Sequence, residues 1–169
     1  MSNKKIIAEL HSASKTLEHA INLVRHIATE LRAPELDEQG LYVALAWHAR
    51  DFERRTRIAC HLILDPQRPH PSRPAAVALL RIFQEALTNV LRHAQATQVW
   101  VCLETRGNGL LMRVRDDGIG IGRRHWQRMD SLGLQGMRER AELAGGTLRV
   151  SRLSPHGTLV SARMPFHDK

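Results

Sequence analysis

Residues 74–94 constrain the fold more than any other part of the chain, because they form a helical pattern with three chemically different sides. One side is apolar and predicts a core face, formed by Leu80, Phe83, Leu87, Val90 and Ala94. A second side is polar and is expected to face water; it comprises Arg81, Gln84, Thr88, Arg92 and Gln95. The third side places Glu85, Asn89 and His93 among Ala78, Ile82 and Ala86. Because a free surface rarely mixes such residues, we expect another element or a ligand to cover this side.

The three polar residues of the third side lie at successive i, i+4 positions, so a regular helix aligns them in one row. A carboxylate, an amide and an imidazole in one row can form a site for a metal ion and a phosphate. The same row can also be a set of hydrogen-bonded groups under a loop. The helix alone does not decide between these two interpretations.

The rest of the pattern predicts helices and strands in a definite order. A short turn is expected over residues 33–40, after which a helix over 41–53 directs Leu41, Leu45, Ala49 and Phe52 inward. A further helix is predicted over 135–144. Strands are predicted where apolar residues alternate, over residues 58–64, 98–104, 110–115, 147–153 and 158–164. This order predicts an α+β fold (an α/β sandwich), with one mixed five-stranded sheet covered by helices on one face and partly open on the other.

The first segment carries a strict heptad of apolar residues: Ile6, Leu10, Ala13, Leu17, Ala20, Val24, Ile27 and Leu31. The alternating spacings of four and three predict a long helix that packs against partner helices in a homodimeric bundle. An ordinary amphipathic helix on its own domain is the alternative. Because Pro34 ends this pattern, we expect residues 1–34 to form a bundle helix and residues 35–169 a separate domain.

The composition restricts the class of protein. The formal net charge is +8, mostly from arginine, and favours acidic partners such as nucleotide phosphates, nucleic acid, an anionic protein face or a membrane surface. A solvated basic surface is an equal alternative.

Cys60 and Cys102 lie in strand-like runs and are expected to be buried free thiols, as in a reducing cytosol. The chain shows no signal peptide and no run of about 20 apolar residues that could cross a bilayer. We expect a cytoplasmic location, with membrane contact only through regions outside this chain.

Three glycine-containing motifs follow the long helix. In Asp116-Asp117-Gly118-Ile119-Gly120, an acid at a strand end can accept a hydrogen bond from an exocyclic amine, and the glycines let a flat ligand approach. Gly133-Leu134-Gln135-Gly136-Met137 opens a helix whose first N–H groups favour phosphate. Gly157-Thr158 opens the last strand with a hydroxyl. Each motif alone is weak, because ordinary turns contain the same residues.

Together and in this order, the four motifs resemble the ATP-binding catalytic domain of sensor histidine kinases, in the GHKL ATPase superfamily. The resemblance is closest to the nitrate-sensor type and covers nearly the whole chain. The long helix matches the asparagine box of that family. The resemblance implies that Asn89 coordinates Mg²⁺ and that Glu85 is the general base or positions the attacking group. It also implies that Arg92 and His93 lie near the phosphates.

The same resemblance assigns the remaining ATP-binding residues. It implies that Asp116 binds the adenine amine and that Thr158 reaches adenine through water. The glycines of the first glycine box are Gly118 and Gly120. The residues that match the second glycine box, beside the triphosphate, are Gly133, Leu134, Gly136 and Met137. The expected cofactors are therefore ATP and Mg²⁺, with the γ-phosphate passing to a histidine of a dimerisation bundle and then to an aspartate of a response regulator.

The acceptor histidine of such a kinase is missing from the pattern. Residues 30–41 look like the junction between the bundle and the catalytic domain, which makes the heptad helix the second helix of the bundle. His11 lies only about twenty residues before this junction, so a whole helix and turn cannot intervene, and we reject it as the acceptor. Between Gly122 and Leu132 lies a short lid whose arginines either close on the phosphates or remain solvated.

Two other functions are compatible with the sequence. A related GHKL domain can phosphorylate a serine of a partner protein or act as an ATPase, but the heptad helix and the junction argue against both. A basic nucleic-acid-binding module is compatible with the net charge. However, the sequence shows no recognition helix, no aromatic platform and no cysteine or histidine spacing typical of a zinc site. We therefore expect no direct contact with nucleic acid.

Overall fold

The computed structural model describes residues 34–67, 69–121 and 132–166. The chain divides into two units, Met1–Pro34 and Glu35–Lys169, and the architecture below is that of the second. The predicted heptad helix, most of the lid and its arginines lie outside the described residues. None of the helices in the described part has both the length and the hydropathy needed to cross a membrane.

The described unit contains three helices and five strands. In chain order they are α1 (Pro34–Thr56), β1 (Ala59–Leu64), α2 (Arg73–Asn89), β2 (Gln98–Thr105), β3 (Gly109–Asp116), α3 (Leu132–Leu143), β4 (Thr147–Arg152) and β5 (Thr158–Pro165). A single π-helical turn, Val90–Ala94, continues α2.

The strands form one mixed sheet in the order β1-β2-β3-β5-β4. β1 runs parallel to β2, and the other neighbours are antiparallel. Along β2, Val99, Val101 and Leu103 are buried, whereas Trp100 and Cys102 on the opposite face are half-buried. Helices therefore cover one face of the sheet and leave the other partly open, which confirms the predicted α+β fold.

Helix α2 crosses the covered face of the sheet and is buried on two of its three sides. It begins after Ser72, whose hydroxyl oxygen accepts a hydrogen bond from the Ala75 amide at 3.4 Å. The predicted core side is buried, and so are Ala78, Ile82 and Ala86 of the third side. Because α3 packs against α2, the expectation that another element covers part of this side is confirmed.

The polar stripe of α2 is less exposed than predicted. Arg81, Gln84 and Thr88 are half-buried, because α1 lies against this stripe. The Gln84 amide nitrogen is 2.8 Å from Nε2 of His48 on α1, and the Thr88 hydroxyl donates to the Gln84 carbonyl at 2.9 Å. The prediction of a solvated stripe was therefore wrong for its first three members, since a helical wheel does not show which other helix packs on a polar side.

The C-terminal end of α2 differs from the regular helix predicted to Ala94. The π turn widens the last five residues, and the segment ends at Gln95 in a left-handed conformation with φ of 53°. Arg92 and His93 of this π turn are both exposed, whereas Glu85 and Asn89 are half-buried.

Two further predictions need correction. Residues 34–40, expected as a turn, belong to α1, which Gly40 interrupts with a non-helical φ of 73°. The inward residues after Gly40 are as predicted, with Leu41, Leu45 and Ala49 buried.

Cys60 and Cys102 are free but only half-buried. Burial, aided by the charge of Glu53, raises the pKa of Cys60 to about 11, so this thiol stays protonated at neutral pH.

Candidate functional site

The candidate site begins on the last α-helical turns of α2. Glu85 and Asn89 are one helical turn apart and half-buried. Neither side chain forms a hydrogen bond to any other residue of the described part. A carboxylate and an amide that no neighbour occupies remain available to a ligand, which is unusual for partly buried polar groups.

The first glycine motif is held directly against the end of this helix. The Ile119 amide donates a hydrogen bond to the Ala94 carbonyl at 2.8 Å. A Cβ atom at Gly118 would collide with the same Ala94 carbonyl. Only glycine therefore lets the turn after β3 approach the π turn this closely.

Asp116 joins the first glycine motif to the last strand. Its side chain is buried, with 5% exposure. Oδ1 accepts hydrogen bonds from the Gly118 amide at 2.9 Å and the Thr158 amide at 3.2 Å. No described residue donates to Oδ2. One oxygen thus fixes the carboxylate while the other can accept a donor from a ligand.

Two glycines allow this close packing around Asp116. Gly157 has a φ of 101°, and a Cβ atom there would collide with the Asp116 carbonyl. Gly120 has a φ of 75°, and its Cβ would lie 2.7 Å from the Gly157 carbonyl oxygen. The predicted residues Asp116, Gly118, Gly120 and Thr158 are therefore brought together, although 42 residues separate Asp116 from Thr158 in the chain.

The neighbouring Asp117 has a structural role. Its carboxylate accepts hydrogen bonds from the Thr97 amide at 2.8 Å, the Gln98 amide at 3.0 Å and the Thr97 hydroxyl at 2.6 Å. Burial pushes the pKa of Asp117 upward, but these hydrogen bonds outweigh it, and the net pKa lies below the ordinary value of 3.8. Asp117 connects the turn to the start of β2, and both of its carboxylate oxygens are engaged in these hydrogen bonds.

This assignment predicts an acid-sensitive contribution to stability. The depressed pKa of Asp117 means that its hydrogen bonds stabilise the fold above pH 3.8, and that this stability is lost as the pH falls through the lower folded-state value. We expect Asp117→Asn to flatten the decrease in melting temperature between about pH 5 and pH 3. Thermal unfolding at several pH values checks this, with Glu142→Gln on α3 as control. A decrease as steep as in the parent would contradict it.

The second glycine motif meets α2 at Glu85. A Cβ atom at Gly133 would collide with the Glu85 carboxylate, so the missing side chain of Gly133 makes room for this carboxylate. Within the same motif, Leu134 is half-buried against the core and Met137 is fully buried in it. The structure thus brings Gly133 to Glu85 and directs Met137 toward the sheet.

Arg140 is a charged residue near Glu85 that the sequence motifs did not identify as part of the site. A Cβ atom at Gly136 would lie 3.2 Å from Nη1 of Arg140, so the guanidinium folds back over this glycine. Nε of Arg140 is buried without a hydrogen-bond partner in the described part. Burial lowers the pKa of Arg140, and the charge of Glu85 opposes that shift. The sequence signal was the i, i+4 spacing of Gly136 and Arg140, which becomes informative only once α2 is placed beside it.

The side-chain oxygens at the site suit a metal ion that takes most of its ligands from water and from the phosphates of a substrate. In the part that the structure describes, no group of three or more His, Cys, Asp or Glu side chains could hold a metal ion. Mg²⁺ commonly binds through one or two protein oxygens, waters and the phosphates of its substrate. The uncommitted amide oxygen of Asn89 fits that pattern.

Comparison with known proteins identifies the family. Residues 75–168 match the family of histidine kinase-, DNA gyrase B- and HSP90-like ATPases. The chain is 33% identical over 164 residues to the oxygen sensor histidine kinase NreB of Staphylococcus carnosus (strain TM300). That match covers 95% of this chain and 47% of the relative. The chain therefore spans about half the length of this relative.

Solved structures show the same fold. The histidine kinase domain of the blue-light activated kinase EL346 from Erythrobacter litoralis superposes with a TM-score of 0.63 at 23% identity, covering 98% of this chain and 89% of that one. The ATP-binding domain of PrrB from Mycobacterium tuberculosis gives a TM-score of 0.59 at 21% identity, covering 74% and 93%. The chain belongs to the family of histidine kinase-, DNA gyrase B- and HSP90-like ATPases.

Proposed function

We propose that this chain is the catalytic half of a two-component sensor histidine kinase, which binds Mg-ATP between Asp116 and the row formed by Glu85 and Asn89. The observation that carries the proposal is the Asp116 carboxylate, with Oδ1 held by two amides and Oδ2 uncommitted. Such an acceptor, held in a buried turn beside glycines, suits the exocyclic amine of adenine. The exposed Ile119 beside it offers an apolar surface to the base.

The triphosphate would extend from this turn toward α2 and the start of α3. Gly118 and Gly120 border the adenine end together with Thr158, and Gly133, Leu134, Gly136 and Met137 form the second glycine box at the phosphate end. Arg92 and His93, both exposed in the π turn, would meet the phosphates as cations or hydrogen-bond donors. Asn89 would hold Mg²⁺, whose chemistry when bound is to neutralise charge on the phosphate oxygens.

Glu85 is proposed as the proton acceptor of the transfer. A histidine nitrogen attacks the γ-phosphorus, a nitrogen–phosphorus bond forms, and the bond between the γ-phosphorus and the bridging oxygen breaks to release ADP. The attacking nitrogen uses its lone pair, and the proton on the other ring nitrogen passes to the Glu85 carboxylate, so that the phosphorylated imidazole ends neutral. That carboxylate is half-buried and free of hydrogen bonds from the described residues, so it retains lone pairs for this purpose.

The acceptor histidine would belong to a dimerisation bundle, with residues 1–34 as its second helix and residues 35–169 as the catalytic domain. The phosphoryl group would then pass to an aspartate of a response regulator. The 33% identity to a sensor histidine kinase across both segments supports this organisation, as does the heptad in the first. The intact kinase would act as a homodimer through these helices.

Calorimetric titration with Mg-ATP tests the proposed site. We expect the parent chain to bind Mg-ATP and Asn89→Ala to weaken this binding roughly tenfold or more, the loss typical of a disturbed metal ligand set. With EDTA in place of Mg²⁺, parent and variant should bind ATP alike. Asn108→Ala, in the turn at the opposite end of β3, is the matched control. A parent that fails to bind ATP would overturn the proposal, and unweakened binding by Asn89→Ala would remove Asn89 from the site.

A further inference from the structure

On the side of α3 that faces α2, two glycines leave space that a side chain would otherwise occupy. A charged group lies close to each of these two positions. The Glu85 carboxylate occupies the place of a side chain at Gly133. Nη1 and Nη2 of Arg140 lie 3.2 and 3.4 Å from the place of a Cβ atom at Gly136. At a rise of about 1.5 Å per residue, the two glycines are about 4.5 Å apart along the helix axis. A carboxylate and a guanidinium therefore lie within about one turn of each other on one helix face.

The direction of the Arg140 side chain follows from helix geometry. Helical side chains lean toward the N-terminus of their helix, so Arg140 runs back over Gly136, toward the turn that contacts Glu85. A Cβ atom at position 136 would lie 3.2 Å from Nη1 of Arg140, so the guanidinium would have to shift by a few tenths of an ångström. Glycine in the interior of a helix costs stability relative to alanine. The space that Gly136 leaves for the guanidinium is a physical reason for a glycine at this position.

The charges around Arg140 show what its guanidinium interacts with. Burial lowers its pKa, the charge of Glu85 raises it, and the like charge of Arg81, one turn before Glu85 on α2, lowers it again. Arg81 also donates to the Gln84 side-chain oxygen at 2.9 Å, and Glu139 adds a further negative charge to the surroundings of Arg140. The guanidinium of Arg140 on α3 is therefore within electrostatic range of the Glu85 carboxylate on α2.

A half-buried guanidinium with an unbonded Nε is costly unless its charge is compensated. An apolar residue at position 140 would pack between α2 and α3 without that cost. The arginine is explained if its charge acts on the carboxylate that lies one turn away. Because both groups are partly buried, their charges interact more strongly over several ångströms than they would in bulk water.

We propose that Arg140 is a positioning residue for Glu85, whose guanidinium attracts the carboxylate and holds it against Gly133. The proposal rests on the role of Glu85 as proton acceptor, and Arg140 itself touches neither ATP nor the attacking histidine. Gly133 and Gly136 then have a second role beside the nucleotide, since their missing side chains bring this pair of charges into place.

The Gly133 amide resonance in the NMR spectrum of the full chain without nucleotide reports on the position of Glu85. We expect Glu85→Gln to move this resonance and Arg140→Met to move it by a comparable amount in the same direction. Arg140→Lys keeps the positive charge and should leave the resonance close to its position in the parent. Arg138→Met removes an arginine from the same helix and should leave it unmoved. If Arg140→Met does not fold, Arg140→Gln takes its place.

The outcomes separate this inference from the proposed function. A Gly133 resonance that Glu85→Gln moves but Arg140→Met does not would overturn the positioning role. Failure of Glu85→Gln to move it would remove the contact on which the inference depends. A resonance that Arg140→Lys moves as far as Arg140→Met does would show that the positive charge at position 140 does not position Glu85. Calorimetry with Mg-ATP on the same samples is expected to give dissociation constants within roughly twofold of the parent for every Arg140 variant. If the parent binds no ATP, the proposed function fails whatever the NMR result.

Discussion

Replacing Asp116 with asparagine is expected to weaken ATP binding roughly 10- to 100-fold, the loss of about 1.4 to 2.7 kcal/mol that follows when a charge-assisted hydrogen bond is replaced by a mismatch. The asparagine can keep its oxygen on the Gly118 and Thr158 amides, because Oδ1 already accepts from both. Its NH₂ group must then replace Oδ2 and face the adenine amine, so that two donors oppose each other. Calorimetric titration of the parent and Asp116→Asn with Mg-ATP measures the effect.

Asp117→Asn is the matched control, since it makes the same chemical change one residue away. Asp117 has its oxygens on Thr97 and Gln98, so this variant should lose stability while its affinity for ATP stays near that of the parent. An equal loss of affinity in the two variants would show that the turn as a whole, and not the Asp116 carboxylate, recognises the nucleotide.

Replacing Gly118 with alanine is expected to be the most destabilising of the substitutions considered, by about 2–4 kcal/mol. The added methyl group would collide with the backbone carbonyl of Ala94, which already accepts the Ile119 amide at 2.8 Å. Neither partner is a flexible side chain, so the turn must move away from the π segment. Thermal unfolding should show a melting temperature lower by about 5–15 °C.

Gly136→Ala serves as the comparison for this prediction. There the added methyl group meets only the end of the flexible Arg140 side chain, at 3.2 Å, and alanine favours the helix. We expect its free energy of unfolding to remain within about 1 kcal/mol of the parent. If Gly118→Ala were as stable as Gly136→Ala, the close approach of the first glycine motif to α2 would not exist in solution.

The local pattern of the sequence was sufficient to predict most of the fold. Alternation in residues 98–104 and 110–115 placed β2 and β3 within one residue of their observed ends, because side chains on a half-covered sheet must alternate. The wheel of residues 74–94 identified the buried side of α2 from Leu80 to Ala94. It failed for Gln84, since the partner on that side is His48, 36 residues earlier in the chain.

The candidate site was predictable in its members but not in their roles. The order of the motifs named Glu85, Asn89, Asp116 and Thr158 as one constellation. It could not show that a π turn ends α2 and leaves Arg92 and His93 exposed, because one additional residue in a turn leaves no periodic signal. Nor could it show which charged residues of α3 face Glu85.

By itself, the sequence determined which chemical groups are available and in which segments they lie, because periodicity and glycine positions act over a few residues. It also determined the family, through the order of four motifs. Only the tertiary structure decided that Asp116 and not Asp117 has a free oxygen, and that Arg140 lies over Gly136 beside Glu85. Both outcomes depend on interactions between segments 19 to 55 residues apart, such as the hydrogen bond of Gln98 to Asp117 and the charge of Glu85 acting on Arg140. Such interactions are fixed by tertiary packing.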